Sequence, residues 1–359
     1  MDRVFANLVP ALAERLPRID VLGIQGHGPS FAGLPANVRQ IRLPARHVSS
    51  ALPALVGYLR RQRPRVILSD KDRVNRTVIL ARWLEGGHSR GVVRLGTTVS
   101  TNLASRGWLD RTLQRWSMRN LYRHTQAVLV PSRGVAEDLR GYAWLPEALI
   151  RVVPNPVVRP DMAALAAEVP AHPWFVDGGP PIVLGVGELS ARKDFATLVR
   201  AHALLLRDMD CRLVILGEGR QRAQLEALAR ELGSAERVAL PGFVPNPYPC
   251  MARAAAFALT SRWEGLGIVL VEALALGTPA MACDCPSGPR EVLDDGRYGP
   301  LARVGDPASV AAALKSLLLA PPPRQTCQAA ARPYTVAASA QAYLAAMGLD
   351  GSPSARKTA

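Results

Sequence analysis

The hydrophobic pattern at the start of the chain predicts a helix followed by a strand. Between positions 3 and 16, apolar side chains recur every three or four residues and so share one face of a helix. These residues are Val4, Phe5, Leu8, Val9, Leu12 and Leu16. The run IDVLGIQG that follows predicts a β-strand.

A doubly wound α/β domain ordinarily opens with an apolar strand and a glycine-rich turn before its first helix. We therefore expect that a first strand is missing because the true start lies upstream of Met1; a genuinely shortened product is the alternative.

Strand and helix patterns continue to alternate through the first half of the chain. Apolar runs that pass into polar or amphipathic segments lie at 65–84, 91–100, 127–139 and 150–157. Polar residues, among them Lys71 and Asn75, crowd the end of the first of these strands, where open parallel sheets bind ligands. The alternative is that Asn75, or Asp72 beside it, only caps the following helix.

The second half of the chain repeats this alternation. Strand, glycine turn and helix follow one another at 181–206 and 211–232, and 237–261 adds two strands and a short helix. This spacing is typical of a parallel sheet covered by helices on both faces, so the sequence predicts two α/β domains. Proline, alanine and glycine at 159–180 predict the linker between them. The domains are thus expected at 1–160 and 161–332, followed by a helix at 333–350 and a disordered tail at 351–359.

An amphipathic helix rich in arginine is predicted at 106–123. Arg111, Arg115, Arg119 and Arg123 recur every four residues and form one stripe, while leucine and tryptophan lean to other faces. Such a helix can rest on anionic lipid headgroups. The alternative is an ordinary domain helix with a solvated arginine face.

Length, charge and cysteine content limit the classes of function. The 359 residues suffice for two domains with separate cores. The net charge of +15 lies wholly in residues 1–160, which hold 25 Lys and Arg against 10 Asp and Glu, whereas the remainder holds 19 of each. A basic half suits an acidic substrate or an anionic bilayer, and no nucleic-acid-binding signature accompanies it. No apolar run predicts a membrane span, and the opening MDRVFANLVP does not predict a signal peptide. The five cysteines lack metal-ligand spacing and suit a reducing cytosol.

The segment LTSRWEGLGIVLVEALALGTPAMACDCPSGPRE, residues 259–291, carries the candidate chemistry. A carboxylate is followed by two glycines and then by a run of helix formers that contains a second carboxylate. These residues are Glu264, Gly265, Leu266, Gly267 and Glu272. A glycine loop that opens into a helix leaves unpaired N–H groups at the positive end of that helix, and a diphosphate is a natural occupant. Glu264 can then reach a hydroxylated ring, and Glu272, about two turns on, another part of an elongated ligand.

Glu264, seven intervening residues and Glu272 resemble the paired-glutamate motif of retaining glycosyltransferases of the family 4 type, which have the GT-B fold. The flanking Ser261-Arg262-Trp263, LGTP and CPSGPRE support the resemblance. It implies two Rossmann-like doubly wound domains that face each other across a cleft, with the first strand of the N-terminal domain missing here. It also implies that Glu264 contacts the donor sugar and Glu272 the ribose hydroxyls. The alternative is that this common spacing marks a loop cap and a solvated helix glutamate.

The resemblance implies further donor contacts in the second domain. The family pattern is a glycine, an arginine and, five residues after the arginine, a lysine, with both cations on the diphosphate. Gly187 and Lys193 match it, whereas Glu188 takes the place of the arginine. A carboxylate beside a diphosphate is unfavourable unless it turns away. Arg192 or Arg262 is therefore expected to supply the missing charge.

These residues predict that fixed positive groups stabilise the negative charge on the leaving oxygen. Departure of a nucleoside diphosphate builds negative charge on the bridging oxygen, which Lys193 and the amides after Gly265 can stabilise without a metal or a cofactor. Asp284 is a lone acid and is not expected to bind a metal. Gly217 and Gly219 are expected to let the nucleotide approach the backbone, or else only to form a tight turn.

The resemblance implies a metal-independent, retaining hexosyltransferase. CPSGPRE is similar to the version in bacterial enzymes that use UDP-N-acetylhexosamines, so a UDP-hexose or UDP-N-acetylhexosamine donor and a cell-envelope polysaccharide or lipid-linked acceptor are expected. Acceptor-side candidates are Lys71, Asn75 and Thr97, and the histidine of many members is missing near Arg94. The protein is expected in the cytoplasm, where its arginine-rich helix would hold it at the inner face of the membrane.

Two other readings of the sequence stay open. One is a noncatalytic GT-B scaffold that binds a nucleotide sugar without turnover. The other is a dinucleotide-dependent dehydrogenase, which is less favoured because no G-x-G-x-x-G follows an early strand.

Overall fold

The computed structural model describes residues 3–25, 31, 33–103 and 107–350. Its strands are β1 (Ile19–Gly23), β2 (Val38–Arg42), β3 (Val66–Asp70), β4 (Arg90–Arg94), β5 (Ala127–Val130), β6 (Ile150–Val152), β7 (Ile182–Val186), β8 (Arg212–Leu216), β9 (Val238–Gly242), β10 (Ala256–Leu259), β11 (Ala280–Cys283) and β12 (Leu301–Ala302).

The α-helices in the same part of the chain are α1 (Arg3–Ala13), α2 (Leu52–Gln62), α3 (Asp72–Glu85), α4 (Val99–Asn102), α5 (Trp108–Leu121), α6 (Arg133–Ala143), α7 (Met162–Ala166), α8 (Phe195–Leu205), α9 (Arg222–Glu231), α10 (Tyr248–Arg253), α11 (Ile268–Ala275), α12 (Pro289–Val292), α13 (Pro307–Leu319), α14 (Arg324–Ala331) and α15 (Val336–Met347).

Two compact units make up the chain. The first comprises Met1–Pro156 together with Thr335–Ala359, and the second is Val157–Tyr334. Residues 159–180, for which composition predicts a linker, belong instead to the second unit, because Met162 and Phe175 are buried in its core. The tail predicted at 351–359 lies outside the described residues.

The described strands of the first unit form two parallel sheets. β1 pairs with β2, while β3, β4, β5 and β6 pair in chain order. Every residue of β5 is buried, as are Val92 and Val93 of β4. Such continuous apolar strands are expected where helices cover both faces of a parallel sheet.

The last helix, α15, lies in the core of the first unit. Its buried Tyr343, Leu344 and Met347 pack with Leu8 of α1 and Leu129 of β5. Thr335 caps the helix by accepting a hydrogen bond from the N–H of Ala338, at 3.3 Å. The two ends of the chain therefore build one core.

The second unit has a six-stranded parallel sheet with the order β9-β8-β7-β10-β11-β12. Alternate residues of its central strands enter two separate cores. Leu184 and Phe257 pack with α10, α11 and α14 on one face, and Val183 and Leu213 pack with α8, α9 and α13 on the other. The predicted doubly wound α/β architecture is confirmed in both units. In the second, the strand order reverses between β7 and β10.

Candidate active site

The loops that follow β7 and β10 carry most of the predicted donor residues of the second unit. Open α/β sheets bind ligands beyond the carboxyl ends of the strands, at the point where the strand order reverses. Residues 187–194 follow β7, and residues 260–267 follow β10. The N–H of Arg262 donates to the carbonyl of Arg192 at 2.8 Å, which joins the two loops. The topology thus brings together residues that are about seventy positions apart.

Glu264 is buried at this point and binds two cations. Nζ of Lys193 lies 2.7 Å from its Oε1, and Nη1 of Arg192 lies 3.0 Å from its Oε2. The hydroxyl of Ser261 donates to Oε1 at 2.8 Å. Both carboxylate oxygens therefore have partners, and the two cations and one anion leave a local charge of about +1.

The pKa of the Glu264 carboxyl lies below its ordinary value. Burial alone would raise this pKa, but the charges of Lys193 and Arg192 and the hydrogen bonds from Lys193 and Ser261 outweigh burial. The carboxylate is consequently ionised at neutral pH and holds the Lys193 ammonium group in place.

The two arginines considered for the missing diphosphate contact differ in their partners. Arg192 is bound to Glu264, whereas Nε of Arg262 lies 3.0 Å from Oδ2 of Asp194 and about half of the Arg262 side chain is exposed. The side chain of Glu188 is exposed. Arg192 is therefore the cation that accompanies Lys193, and Glu188 is not buried beside them.

The start of α11 offers backbone amides to this region. Gly267 is the residue before the helix and has a φ of +87°, a conformation that favours glycine. Among the described residues, no acceptor binds the N–H groups of Ile268 and Val269, in the first turn of the helix. The preceding loop is held by Ser287, whose hydroxyl donates to the carbonyl of Gly265 at 3.0 Å. Leu266 is buried in the core, so only its backbone remains available to a ligand.

Glu272 lies in the second turn of α11 and is buried. The hydroxyl of Tyr248, on α10, donates to its Oε1 at 3.1 Å. The alternative of a solvated helix glutamate is therefore wrong for Glu272, since only 2% of the residue is exposed. A carboxylate buried in this way needs polar partners.

The glycines after β7 and β8 allow close approach between protein segments. A Cβ added to Gly217 would lie 1.8 Å from the carbonyl oxygen of Gly187, and one added to Gly219 would lie 2.4 Å from that of Leu189. At Gly187 itself, a Cβ would meet the side chain of Lys193 at 2.9 Å. These glycines let the turn after β8 pack on the turn after β7, which carries Lys193. The predicted contact of Gly217 and Gly219 with the nucleotide stays a prediction.

The acceptor-side candidates of the first unit occupy different environments. Lys71 is exposed and precedes α3 with a φ of +71°, which is unusual for a residue with a side chain. Asn75 is fully buried and binds the Ser69 hydroxyl at 2.8 Å and the carbonyl of Arg94 at 2.8 Å. Thr97 is half-buried after β4. Asn75 therefore holds the strands together, and neither it nor Asp72 caps α3.

A buried arginine stands in the region where family members often have a histidine. Arg94, at the end of β4, donates to Oδ1 of Asp70 at 3.0 Å, to Oδ1 of Asn155 at 2.8 Å and to the hydroxyl of Tyr343 at 2.9 Å. These bonds link β3, the segment after β6 and α15. Arg94 therefore has a structural role in the first unit.

The outward face of α5 combines arginine with large apolar side chains. Its exposed apolar residues are Trp108, Leu109, Leu113 and Trp116, with exposed fractions of 72%, 58%, 65% and 64%. The guanidinium carbons of Arg115 and Arg119 lie 4.0 and 4.7 Å from the ring centre of Trp144. Arg111 is exposed on α5, and Arg123 is exposed in the 3-10 turn after it.

Within the described ranges, no helix is long and apolar enough to cross a bilayer.

Comparison with protein families accounts for both halves of the chain. "Glycosyl transferase 4-like domain" matches residues 1–156, and "Glycosyl transferases group 1" matches residues 172–333. The chain belongs to the glycosyltransferases of the family 4 type.

Two curated relatives of this glycosyltransferase come from bacteria. The N-acetylgalactosamine-N,N'-diacetylbacillosaminyl-diphospho-undecaprenol 4-alpha-N-acetylgalactosaminyltransferase of Campylobacter jejuni is 32% identical over 69% of this chain and 65% of its own length. The lipopolysaccharide core biosynthesis glycosyltransferase LpsE of Rhizobium meliloti is 32% identical over 55% of each chain. The matched regions span between about half and two thirds of these relatives.

Solved structures share the fold of this glycosyltransferase. The Anabaena protein HepE in complex with UDP has a TM-score of 0.76, with 18% identity over 97% of this chain and 96% of that one. The apo form of the lipopolysaccharide outer core galactosyltransferase WaaB has a TM-score of 0.67 with 20% identity, over 87% of this chain and 85% of that one. The predicted GT-B fold is thereby confirmed.

Some site residues of this glycosyltransferase were not assigned roles by sequence reasoning. Ser261 stands in the motif, three positions before Glu264, and a hydroxyl at that spacing signals a turn in which it can bind the carboxylate. Tyr248 carries no such signal, because it reaches Glu272 from a different helix. No three acidic, histidine or cysteine side chains gather closely enough in the described residues to hold a metal ion.

Proposed function

We propose that this glycosyltransferase transfers a hexose or N-acetylhexosamine from a UDP-sugar to a lipid-linked or polysaccharide acceptor of the bacterial cell envelope. The observation that carries the proposal is the cluster of buried Lys193 and Glu264 with half-buried Arg192 at the strand-order reversal of the second unit. The names of its relatives, which include undecaprenol-linked and lipopolysaccharide acceptors, support the acceptor class.

The donor diphosphate would bind between the two cations and the start of α11. The Lys193 ammonium and the free N–H groups of Ile268 and Val269 offer positive charge and directed donors. Arg192 is more exposed than Lys193, with 35% of its side chain accessible against 8%. We expect Arg192 to turn from Glu264 to the diphosphate when the donor binds, which leaves Oε2 of Glu264 available to a sugar hydroxyl.

Glu272 would bind the nucleoside end of the donor. Its buried carboxylate already accepts a hydrogen bond from Tyr248, and a ribose offers hydroxyl donors of the same kind. The hydroxyl of Tyr248 holds the carboxylate through Oε1, and a ribose hydroxyl would be a further donor to it. HepE, which has this fold, binds UDP, and this supports a uridine donor.

The reaction would break the bond between the anomeric carbon and the bridging phosphate oxygen. The electron pair goes to that oxygen, where Lys193 and Arg192 stabilise the added negative charge. The acceptor hydroxyl attacks the anomeric carbon from the same face and its proton passes to the departing phosphate, so the anomeric configuration is retained. In this proposal, Lys193 and Arg192 supply the positive charge at the leaving oxygen.

A transfer assay with a panel of UDP-sugars tests this proposal. We expect slow hydrolysis of one UDP-hexose or UDP-N-acetylhexosamine by the wild-type chain, and a loss of at least about 100-fold in Glu264→Ala and Lys193→Ala, as for removal of other charge-stabilising donors. Matched controls are Glu231→Ala, whose side chain is exposed in α9, and Lys315→Ala, whose side chain is 44% exposed in α13. UDP-sugar binding without turnover would favour the scaffold alternative. Turnover that survives both site substitutions would exclude the proposed roles.

A further inference from the structure

The segment between β11 and α12 lies against the loop that precedes α11. Three consecutive residues of this segment, 287–289, contact three consecutive residues of that loop, 265–267. The first contact is a hydrogen bond, in which the hydroxyl of Ser287 donates to the carbonyl of Gly265 at 3.0 Å. We call residues 287–289 the brace and residues 265–267 the donor loop.

The other two residues of the brace contact the donor loop through backbone and ring atoms. A Cβ added to Gly288 would lie 2.6 Å from Cα of Leu266, so the two backbones touch. Cγ of Pro289 lies 3.8 Å from the position that a Cβ of Gly267 would take. Pro289 is also the first residue of α12, where its fixed φ suits a helix start. The brace is therefore held by α12 on one side and packed on the donor loop on the other.

The backbone of Ser287 has an unfavourable conformation. Its φ is +75°, in the left-handed region where a residue with a side chain is uncommon. Such strain persists when surrounding contacts enforce it, and it is frequent at functional sites. Glycine takes this φ without strain, but it has no hydroxyl to offer to Gly265. The chain thus keeps a hydroxyl at a position where the backbone favours glycine.

The hydroxyl of Ser287 acts on the peptide that carries the N–H of Leu266. In a planar trans peptide, the carbonyl of Gly265 and this N–H point in opposite directions. A bond that fixes the carbonyl therefore also fixes the direction of the N–H. No acceptor in the described part of the chain binds the N–H of Leu266, as is also the case for Ile268 and Val269.

We infer that Ser287 is a positioning residue for the donor site, which holds the peptide between Gly265 and Leu266 so that the amides before α11 face the donor diphosphate. The identity of that ligand rests on the proposed function, whereas the contact between brace and donor loop belongs to the free chain. A loop with a preset direction loses less conformational freedom when the ligand binds. Ser287 therefore strengthens donor binding through the donor loop, without a contact of its own to the diphosphate.

Two substitutions separate the hydroxyl of Ser287 from its strain. Ser287→Ala and Ser287→Gly both remove the hydroxyl, but only alanine keeps a Cβ at a φ of +75°. Ser287→Gly should therefore melt at a higher temperature than Ser287→Ala. Calorimetric titration with UDP should show binding about fivefold weaker than wild type in both variants, because each lacks the hydrogen bond that holds the donor loop. The order of melting temperatures and the order of UDP affinities should thus differ.

Hydrogen exchange tests the brace in the absence of a ligand. The N–H groups of Leu270 and Val271 donate to the carbonyl of Gly267 at 3.0 and 3.3 Å. Both amides should exchange at least about fivefold faster in the two Ser287 variants, because a donor loop without its anchor opens more often. The amide of Leu184 in β7 reports that the second unit is folded in every sample.

Two control variants reproduce the separate changes away from the donor loop. Arg63→Gly replaces a residue with a φ of +42° in the first unit, and so relieves backbone strain alone. Ser316→Ala in α13 removes a hydroxyl that donates to the carbonyl of Ala313. Both should bind UDP as tightly as the wild-type chain.

The outcomes distinguish a positioning role from a packing role. Weaker UDP binding in both Ser287 variants, together with faster exchange at Leu270 and Val271, supports the inference. A UDP affinity that follows the melting temperature, normal in Ser287→Gly and reduced only in Ser287→Ala, overturns it, and so does unchanged exchange in both. A wild-type chain that binds no UDP would contradict the proposed function, and the exchange rates would still decide whether Ser287 holds the donor loop.

Discussion

Nζ of Lys193 lies 2.7 Å from Oε1 of Glu264, and only 8% of each side chain is exposed. A buried ion pair is held by mutual attraction that must offset the desolvation of both charges. Glu264 has a second cation partner in Arg192. The carboxylate is thus the centre of the cluster, and the two cations depend on it.

Loss of Glu264 is expected to destabilise the chain more than loss of Lys193. Glu264→Gln leaves the Lys193 ammonium buried without its anion, at a cost of about 3–5 kcal/mol, whereas Lys193→Met leaves Glu264 paired with Arg192 and costs less. The double variant should cost less than the sum of the two. Urea unfolding measures these differences. Lys315→Met is the control, because the exposed Lys315–Asp208 pair should contribute at most about 1 kcal/mol. Additive single effects would contradict the coupling.

The stability that Glu264 contributes is expected to decrease as the pH falls. Its folded pKa is lowered, so the contribution is complete above the unfolded pKa of about 4.3 and is lost as the pH falls through the lower folded pKa. The difference in unfolding free energy between wild type and Glu264→Gln should be constant from about pH 6 to 8 and should shrink below about pH 4.3. Urea unfolding at a series of pH values measures it. A difference that widens in acid would mean that the carboxyl is protonated in the folded chain.

Ser261 is expected to position Glu264. Ser261→Ala removes one hydrogen bond to the buried carboxylate and should cost about 1 kcal/mol of stability. Because that bond favours the ionised carboxylate, its loss should raise the pKa of Glu264 and move the acid limb of the transfer rate upward. Ser316→Ala in α13 is the control. An unchanged pH profile with reduced stability would limit Ser261 to a packing role.

Gly217 is expected to tolerate no side chain. Gly217→Ala would place a Cβ 1.8 Å from the Gly187 carbonyl oxygen and displace the turn that carries Lys193. We expect loss of UDP-sugar binding in calorimetry and a lower melting temperature. Gly305→Ala is the matched control, because its φ is +72° but no atom lies within 4 Å of the added Cβ. Normal UDP-sugar affinity in Gly217→Ala would show that the turn can shift without effect.

The outward face of α5 is expected to bind anionic membranes. Tryptophan prefers the headgroup region and arginine is attracted to anionic lipid. Trp108→Ala with Trp116→Ala should weaken co-sedimentation with anionic vesicles at both low and high salt, whereas Arg111→Gln with Arg123→Gln should weaken it mainly at low salt. Phe243→Ala, an exposed aromatic residue of the second unit, is the control. Equal binding to neutral and anionic vesicles would contradict the role of the arginines.

The architecture was predictable because hydrophobic periodicity reports burial directly. The alternation at 181–232 predicts β7, α8, β8 and α9, and the parallel sheet follows from that spacing. The linker prediction at 159–180 differs from the structure because composition does not show that Met162 and Phe175 reach a core. Boundaries that depend on tertiary packing lie beyond what local pattern can reveal.

The candidate site was predictable as a set of residues but not as a set of contacts. Motif spacing selects Lys193, Glu264 and Glu272, yet it does not show that Lys193 and Glu264 bind each other. The partnership of Tyr248 with Glu272 depends on how α10 packs on α11. On α5, the arginine period is evident in the sequence, whereas the exposure of Trp108 requires the fold.

The first unit takes its core from both ends of the chain, with α15 packed against α1 and β5, whereas the second unit is one continuous segment. All residues of the second unit, Val157–Tyr334, are synthesised before Tyr343 and Met347 of the first unit's core. The portion translated first must wait for Tyr343 and Met347 to emerge before it can finish folding. A frameshift at residue 335 would leave every residue of the second unit unchanged while removing from the first unit the part of its core that α15 supplies.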